Sequence, residues 1–450
     1  MVGNVNGKRI LSGLVRSEDR GGCRAAPRRT STSTSGGSHS GRDHPAPPVV
    51  DLRSVRPRSA LLPVLVTLAL VGCERKQAPS PPATSDRPAE ASTRPSTGPL
   101  LVGTVGALTG PEAHFGGESR NGAQLAVEEA NAAGGVQGRQ LVLRSYDSQS
   151  RPEEAANAMT RLVSQDGALF VVGENQSSLS LAMAPGAAKG EVPMISPSST
   201  NPRVTSEGGP YVFRVCFTDT FQGQLLARYA RETLKAEKVA ILVDQKSDYA
   251  VGLAKVFAGK FGALGGKVVA EEAYAKGDTD FRSQLTRAKA ARPEVLFIPG
   301  YYSDVGPMAR QARELGMRAT LLGGDGWDSG ERLGQLGGSA VEGAQYSTHF
   351  APDNPGGRVQ DFIAKYKARF GHVPDALGAL GYDAARVGID ALRRSGGVGG
   401  PALREQIART RDFEGITGRI TLGPDRDVVK PAIIVKLVKG EPVFAAEVSP

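Results

Sequence analysis

The sequence predicts an α/β fold of two similar lobes, each built on a doubly wound parallel sheet, and three observations favour it. Short apolar runs alternate with amphipathic stretches from residue 100 to residue 324. The runs are apolar at nearly every position, as expected for parallel strands that helices cover on both faces. The alternation restarts after about residue 219, which predicts two successive lobes and not one closed barrel.

In the first half, each apolar run is followed by a stretch with helical periodicity. The stretch 117–133 carries apolar residues at 125, 126, 130 and 133, which lie on one face of a helix. We predict strands at 100–107, 140–147, 168–173 and 192–196, and helices at 117–133, 152–165 and 177–190.

The second half repeats this pattern and then changes. We predict helices at 221–235, 249–265, 278–291 and 303–316, and strands at 238–244, 267–274, 294–300 and 319–324. The closing part has two long helical stretches, 357–370 and 375–394, followed by strand-like segments at 418–423 and 431–438.

Residues 1–98, which precede the predicted lobes, are expected to contain a targeting signal and a tether. Residues 1–52 have no hydrophobic period, so we expect either disorder or upstream sequence from a wrong start site. Residues 53–72 resemble a lipoprotein signal peptide: three arginines precede 12 uncharged residues, too few to span a bilayer, and the run ends in LVGC. We therefore expect lipidation of Cys73, followed by a Pro/Ser/Thr-rich tether at 73–98.

Charge and cysteine content exclude several classes of protein. The chain carries +9, but residues 1–72 hold 11 Lys and Arg against 4 Asp and Glu, which leaves 44 against 42 in the remainder. A nearly neutral body disfavours nucleic acid as a partner. The three cysteines and five scattered histidines form no metal-ligand pattern, and the usual hydrolase, zincin and phosphate-loop motifs do not occur. We expect no metal, no cofactor and no catalytic residues, and a buried free thiol at Cys216.

Candidate binding residues lie in the loops after the strands, because open parallel sheets bind ligands at the carboxyl ends of their strands. Ser177 and Ser178 begin a predicted helix, where unpaired N–H groups and the helix dipole favour an anion. Simple N-capping is the alternative for both. Ser198 and Thr200 offer hydroxyls in the SPSSTNP loop, where the alternative is a plain turn.

The strand ends of the second half offer aromatic rings and one acid. Tyr249 and Tyr301, ahead of Tyr302, could cover a ligand, or they could pack inside the lobe. Asp325 lies between glycines in GGDGWD, where its carboxylate could pair with a ligand ammonium or remain solvated. Trp327, two residues later, could line the cleft or fill the lobe.

Several sequence blocks carry a family resemblance. NGAQLAVEEANAAGG, ISPSSTNP, GYYSDVGPMARQAR and GGDGW occur in this order. With them, residues 99–445 resemble bacterial branched-chain-amino-acid-binding proteins, which are type I periplasmic binding proteins that feed ABC importers. The resemblance implies two lobes joined by three crossovers. It implies lobe 1 at 99–218 plus 349–422 and lobe 2 at 219–348 plus 423–450.

The resemblance also implies roles for single residues. By motif match, Ser177 and Thr200 hold the ligand carboxylate, and the Ser198 carbonyl lies near the ligand ammonium together with the Thr200 hydroxyl. Asp325 matches the acid that binds the ammonium. Phe115 matches an aromatic position near the side-chain pocket.

Two tyrosines complete this implied site, and some positions depart from the family pattern. Tyr249 and Tyr301 match residues that the facing lobe presents. Gln176 stands where a family disulfide would have its Cys, and Asp325 is shorter than the family's Glu by one methylene. Ser199, like its neighbour Ser198, replaces a smaller residue. We expect a branched-chain or similar aliphatic amino acid, with an amide or a small carboxylic acid as alternatives.

The expected function is that of a solute receptor which closes around its ligand by hinge motion. Its expected partners are ABC permease subunits and, through the lipid, a membrane on the extracytoplasmic side of the cell envelope. A sensor or adaptor for a signalling partner has the same sequence features and remains an alternative. An extracellular hydrolase fits the α/β pattern but lacks an assembled nucleophile and base.

Overall fold

The computed structural model of the protein describes residues 98–353 and 356–450. The predicted extension at 1–52, the signal peptide at 53–72, the lipidation site Cys73 and the tether up to residue 97 lie outside these residues. Among the residues described, no helix combines the length and the apolar character needed to span a bilayer.

The first sheet is parallel throughout and has five strands in the order β2-β1-β3-β4-β5. Its strands are β1 (Leu100–Gly106), β2 (Leu141–Asp147), β3 (Phe170–Val172), β4 (Met194–Ser196) and β5 (Val212–Arg214). Along β3, Phe170 and Val172 join one buried apolar cluster and Val171 joins another. Both faces of the sheet are therefore covered, as the continuous apolar runs predict.

The second sheet has seven strands in the order β14-β13-β10-β9-β8-β6-β7. Five of its strands are parallel, and they are β6 (Lys238–Asp244), β7 (Lys267–Tyr274), β8 (Val295–Ile298), β9 (Thr320–Gly323) and β10 (Gln345–Thr348). A separate hairpin follows, with β11 (Phe413–Gly415) and β12 (Gly418–Ile420). Two antiparallel strands then complete the second sheet at one edge, β13 (Ala432–Val438) and β14 (Glu441–Val448).

Helices connect and cover the strands of both sheets. They are α1 (Ala113–Ala132), α2 (Pro152–Arg161), α3 (Ser177–Gly190), α4 (Arg203–Ser206), α5 (Asp219–Arg228), α6 (Asp248–Ala263), α7 (Arg282–Ala290), α8 (Tyr302–Glu314), α9 (Arg332–Gly337), α10 (Gly357–Phe370), α11 (Ala376–Arg394) and α12 (Gly400–Ala408). Short π-helical turns extend α2 and α5 over Leu162–Asp166 and Tyr229–Thr233, and 3₁₀ turns occur at Asp325–Trp327 and Gly338–Val341.

The predicted fold class is confirmed, and some elements escaped the prediction. Strands β5, β10, β11 and β14 and helices α4, α9 and α12 were not predicted. The run that forms β10, Gln345–Thr348, contains one apolar residue among polar ones, so the apolar-run criterion misses it. The predicted strand at 418–423 contains β12, which pairs with β11 and does not join either large sheet.

The chain passes three times between the two sheets, after β5, after β10 and after β12. In the first and second of these crossings, the rings of Phe217 and His349 stack with centroids 3.7 Å apart. The third is tied to the first by an ion pair of 2.7 Å between Asp427 and buried Arg214. Val428 packs in the cluster of the first lobe, so we propose that lobe 1 extends beyond the expected limit at residue 422.

Glycines bring helix α11 against helix α1. A Cβ atom on Gly122 would lie 2.0 Å from the carbonyl oxygen of Gly378, and one on Gly381 would lie 2.2 Å from that of Ser119. Only glycine permits this approach of the two backbones. The contact places the start of α11 beside Phe115 of α1, where both face the second lobe.

Candidate functional site

A cavity lies between the two lobes, at the carboxyl ends of their strands. The space between protein atoms there, including the part that is open to solvent, is about 330 Å³. Its lining residues are Phe115, Asn175, Ser177, Ser198, Thr200, Tyr249, Tyr301, Asp325, Gly326, Asp328, His349, Ala376, Leu377 and Leu380. Residues of both lobes line this cavity, so a ligand held there would contact both lobes.

Lobe 1 contributes hydroxyl groups from the loops after β3 and β4. Ser177 is the first residue of α3, and its Oγ accepts a hydrogen bond from the Asn201 N–H at 3.2 Å. The Ser198 hydroxyl lies 3.1 Å from the Asn175 side-chain oxygen. Buried Thr200 lies near the Asp219 carboxylate, but among the described residues its hydroxyl has no well-formed hydrogen bond. This hydroxyl is therefore available to a ligand.

A buried acid holds the two loops of lobe 1 together. The Glu174 carboxylate accepts hydrogen bonds from the Ser148 hydroxyl at 2.8 Å and from the Gln176 N–H at 2.7 Å. The Glu174 carbonyl accepts from Ser196 at 2.6 Å and from Ser199 at 2.9 Å. Glu174 thus fixes the loop that begins α3 relative to the loop that follows β4.

Lobe 2 contributes two stacked tyrosines. The rings of Tyr249 and Tyr301 lie 5.3 Å apart at 20°, and Tyr301 meets Phe115 of lobe 1 edge-on at 5.7 Å. The Tyr249 hydroxyl accepts a hydrogen bond from the Gly326 N–H at 3.1 Å. Burial raises the pKa of both phenols well above their usual value, so both stay protonated at neutral pH.

The acid of lobe 2 is held from two sides. Gln222 donates through Nε2 to Asp325 Oδ1 at 2.8 Å, and its Oε1 accepts from the Asp325 N–H at 3.0 Å. The His349 Nε2 lies 3.2 Å from Asp325 Oδ2. Burial lowers the pKa of His349 to about 4, so the imidazole is neutral at pH 7 and leaves Asp325 without a positive partner.

A second buried acid lies behind Asp325. Burial raises the pKa of Asp219 well above its usual value, and the nearby Asp325 carboxylate raises it further. Asp219 is therefore held in its neutral form. Of these two acids, Asp325 lines the cavity, so a ligand cation could pair with it there.

Another part of the cavity wall is formed by helix ends and by one more acid. Ala376, Leu377 and Leu380 come from the first turns of α11, and Phe115 comes from α1. Asp328, in the loop after β9, adds a carboxylate to this largely apolar wall.

Direct bonds between the lobes close the cleft beyond Tyr301. Lys276 Nζ of lobe 2 lies 2.7 Å from Glu112 Oε2 and 3.0 Å from Gln176 Oε1 of lobe 1. The Ser303 hydroxyl donates to Glu112 Oε1 at 2.9 Å. Glu112 is fully buried by these contacts. The lobes are thus in a closed arrangement.

Seven of the eight predicted binding residues line the cavity. Ser177, Ser198, Thr200, Tyr249, Tyr301, Asp325 and Phe115 come together there. Ser178 does not line it, and its Oγ accepts a hydrogen bond from the Asp248 N–H of lobe 2 at 3.0 Å. Trp327 fills the lobe: it is fully buried and donates to the Ile298 carbonyl at 2.9 Å. Cys216 is a buried free thiol, as expected.

The sequence did not predict several residues that line the cavity. Asn175, Gly326 and Asp328 lie in strand-end loops that were singled out, and closer attention to polar side chains there would have found Asn175 and Asp328. His349 follows the unrecognised strand β10. The α11 residues, exemplified by Leu377, reach the site only through the packing of α11 on α1, for which the sequence offers no local signal.

Two α/β lobes with an enclosed cavity between them define a receptor that holds a small molecule by closing around it. Residues 99–442 match the sequence profile of the family described as periplasmic binding protein. The chain belongs to the periplasmic binding protein family.

Relatives of known structure and of known sequence support this assignment. The chain is 31% identical to Leu/Ile/Val-binding protein homolog 3 of Brucella melitensis over 336 residues, which cover 74% of this chain and 89% of the relative. The structure of the leucine-binding protein LivK from Thermotoga maritima superposes with a TM-score of 0.74 at 38% identity, covering 78% of this chain and 99% of that one. The substrate-binding protein LivJ of Streptococcus pneumoniae, in complex with isoleucine, gives 0.73 at 34% identity, covering 78% and 100%. These relatives are substrate-binding proteins.

Proposed function

We propose that this protein is the extracytoplasmic receptor of an ABC importer and binds a zwitterionic amino acid between its lobes. The observation that carries the proposal is the cavity in which hydroxyls of lobe 1 face the Asp325 carboxylate of lobe 2. Leucine, isoleucine and valine are the first ligands to test, since relatives named above are leucine-binding or hold isoleucine.

The head group of such a ligand matches the two walls. Its carboxylate would lie at Ser177 and Thr200, where hydroxyls and the positive end of the α3 dipole favour an anion. Its ammonium would lie at Asp325, near the Ser198 carbonyl. The Thr200 hydroxyl, which has no well-formed hydrogen bond in the described residues, and Asp325, which has no cationic partner there, are groups that this ligand would satisfy.

Ligand binding would stabilise the closed form, because only that form brings the two walls together. A ligand shifts the equilibrium by as much as its affinities for the open and closed forms differ. In the open form the carboxylate site and Asp325 are apart, so the ligand loses one of its two charged contacts. No bond is made or broken in this process, and we propose no enzymatic activity.

Members of this family act outside the cytoplasm, and we propose that a lipid on Cys73 anchors this one there. The support is the sequence of residues 53–73, in which a basic segment and a short apolar run precede the cysteine. ABC permease subunits would then receive the ligand from the closed receptor.

Calorimetric titration of the purified protein tests the proposal. We expect leucine, isoleucine or valine to bind, and we expect at least about 100-fold weaker binding of 4-methylpentanoate and of isopentylamine, which each lack one charged group of leucine. Short amides and aromatic acids complete the panel. Tighter binding of an analogue without the ammonium, or no binding of any amino acid, would contradict the proposal.

A further inference from the structure

A second carboxylate, that of Asp328, lines the ligand cavity in addition to that of Asp325. Asp328 is 5% exposed and lines the cavity together with Ala376 and Leu377. It also lines a larger chamber that contains about 1530 Å³ of space and is open to solvent. Asp328 and Ala376 are common to both, so the cavity and the chamber adjoin at this acid.

Asp328 differs from the other buried acids of the chamber in its partners. Glu118 pairs with His372 at 2.8 Å and accepts a hydrogen bond from Tyr366 at 2.8 Å. Asp375 pairs with His114 at 2.5 Å and caps helix α11. Each of these acids therefore has a group that can carry positive charge.

Asp328 has a single side-chain partner within the described residues. Its Oδ2 accepts a hydrogen bond from the Thr348 hydroxyl, and neither Oδ1 nor Oδ2 pairs with Lys, Arg or His there. A buried carboxylate without a counter-charge is costly in its ionised form. A neutral group at the end of a ligand side chain supplies no counter-charge to the Asp328 carboxylate, whereas a cationic group supplies one.

We propose that Asp328 is the subsite for a positively charged side-chain terminus, so that the receptor takes cationic amino acids in addition to aliphatic ones. The proposal rests on the proposed function, because the ligand's head group must occupy the Ser177 and Asp325 site for its side chain to point along Phe115 and Leu377. In this proposal the methylenes of the ligand side chain would pass Phe115 and Leu377, and the terminal ammonium or guanidinium would pair with Asp328.

The electrostatics around the Asp328 carboxyl explain why aliphatic ligands can also bind. Burial raises the pKa of Asp328, and the carboxylate of Asp375 raises it further, while His114 opposes these effects. The charged or titratable groups that face Asp328 are thus Asp325 from its own loop and Asp375 and His114 from lobe 1. A protonated Asp328 tolerates a methyl group, and a cationic terminus makes the carboxyl release its proton to the solvent.

Calorimetry with paired ligands tests the subsite. L-Lysine and L-norleucine have side chains of equal carbon number, and only lysine carries the terminal ammonium. L-Ornithine and L-arginine vary the reach of the cation. We expect at least one of the three cationic amino acids to bind in competition with leucine, and Asp328→Asn to lower its affinity relative to norleucine by about tenfold or more. The amide introduced by this substitution keeps an oxygen for Thr348, and Asp361→Asn on the exposed face of α10 serves as control.

Proton release provides a second measurement on the unaltered protein. In buffers of different ionisation enthalpy near pH 7, the binding of the cationic ligand should release a proton and that of leucine should not. The proposal is overturned if leucine binds and no cationic amino acid competes, or if Asp328→Asn weakens norleucine and the cationic ligand equally. If neither leucine nor any other amino acid binds, the proposed function itself fails and this subsite fails with it.

Discussion

The two ends of the interlobe cleft are built in opposite ways. Beyond Tyr301, Lys276 and Ser303 of lobe 2 bond directly to Glu112 of lobe 1, which they bury. Beyond Asp328, a chamber of about 1530 Å³ that is open to solvent separates the lobes, and no described residue of lobe 1 makes a hydrogen bond to Asp328.

This difference separates two tasks. The Lys276 end contributes to closure with contacts that do not involve the ligand, so it acts alike on every ligand. The Asp328 end has room and an acid without a counter-charge, so under the proposed subsite it would respond to the side chain of the ligand. Substitutions at the Lys276 end should therefore alter the affinity for all ligands, and substitutions at the Asp328 end should alter the selectivity among amino acids.

The largest effect is expected between the two ends, at Asp325. Asp325→Ala removes the carboxylate that faces the ammonium, and we expect binding of any zwitterionic ligand to fall by about 100-fold or more. Calorimetry measures this loss. Thermal unfolding without ligand is the control, and it should show an intact fold. Undiminished affinity would show that Asp325 does not bind the ligand. The two ends of the cleft could then no longer be compared relative to it.

At the Lys276 end we expect a smaller and unselective effect. Lys276→Met leaves Glu112 buried without its cation in the closed form only, since opening returns Glu112 to water. Affinity for all ligands should fall by about tenfold through faster dissociation. Stopped-flow release rates measure this.

A matched control exists at the same mouth of the cleft. Lys246 is exposed and lines this mouth with Lys276, so Lys246→Met removes the same charge without the pair and should change affinity less than about twofold. Combining Lys276→Met with Glu112→Gln should recover part of the loss. A ligand-dependent effect of Lys276→Met would break the comparison between the two ends.

A separate effect, on stability and not on affinity, is expected at Asp304 near the Lys276 end. Burial raises the pKa of Asp304 to about 7, and the carboxylates of Glu112 and Asp244 raise it while Lys276 lowers it. From the ordinary pKa of 3.8 up to about 7, the folded form holds a proton that the unfolded form has released. Stability due to this group therefore falls as pH rises through that window.

Urea unfolding at pH 4.5 and pH 7.5 measures this dependence. Asp304→Asn imitates the protonated acid, and its stability relative to the unaltered protein should be greater at pH 7.5 than at pH 4.5 by on the order of 3 kcal/mol. The exposed Asp361→Asn should show no such difference. An equal effect at both pH values would mean that Asp304 is ionised in the folded protein.

Strand-end positions also explain which residues of the site the sequence could predict. Ser177, Thr200 and Asp325 each follow a strand made mainly of apolar residues, and parallel strands bring their carboxyl ends to one place, so these residues could be found. His349 could not be found, because β10 lacks an apolar run. Leu377 is brought to the site by the glycine contacts between α1 and α11, and such a contact between distant segments leaves no periodic signal in either.

The stacked rings of Phe217 and His349 connect two of the interlobe crossings, and His349 also contacts Asp325. If the lobes open by bending at these crossings, the two rings would shift against each other and the imidazole would move relative to Asp325. In the proposed receptor, opening would thereby weaken the contact between Asp325 and the ligand ammonium. A permease that separates the lobes would then need no further signal for release of the ligand.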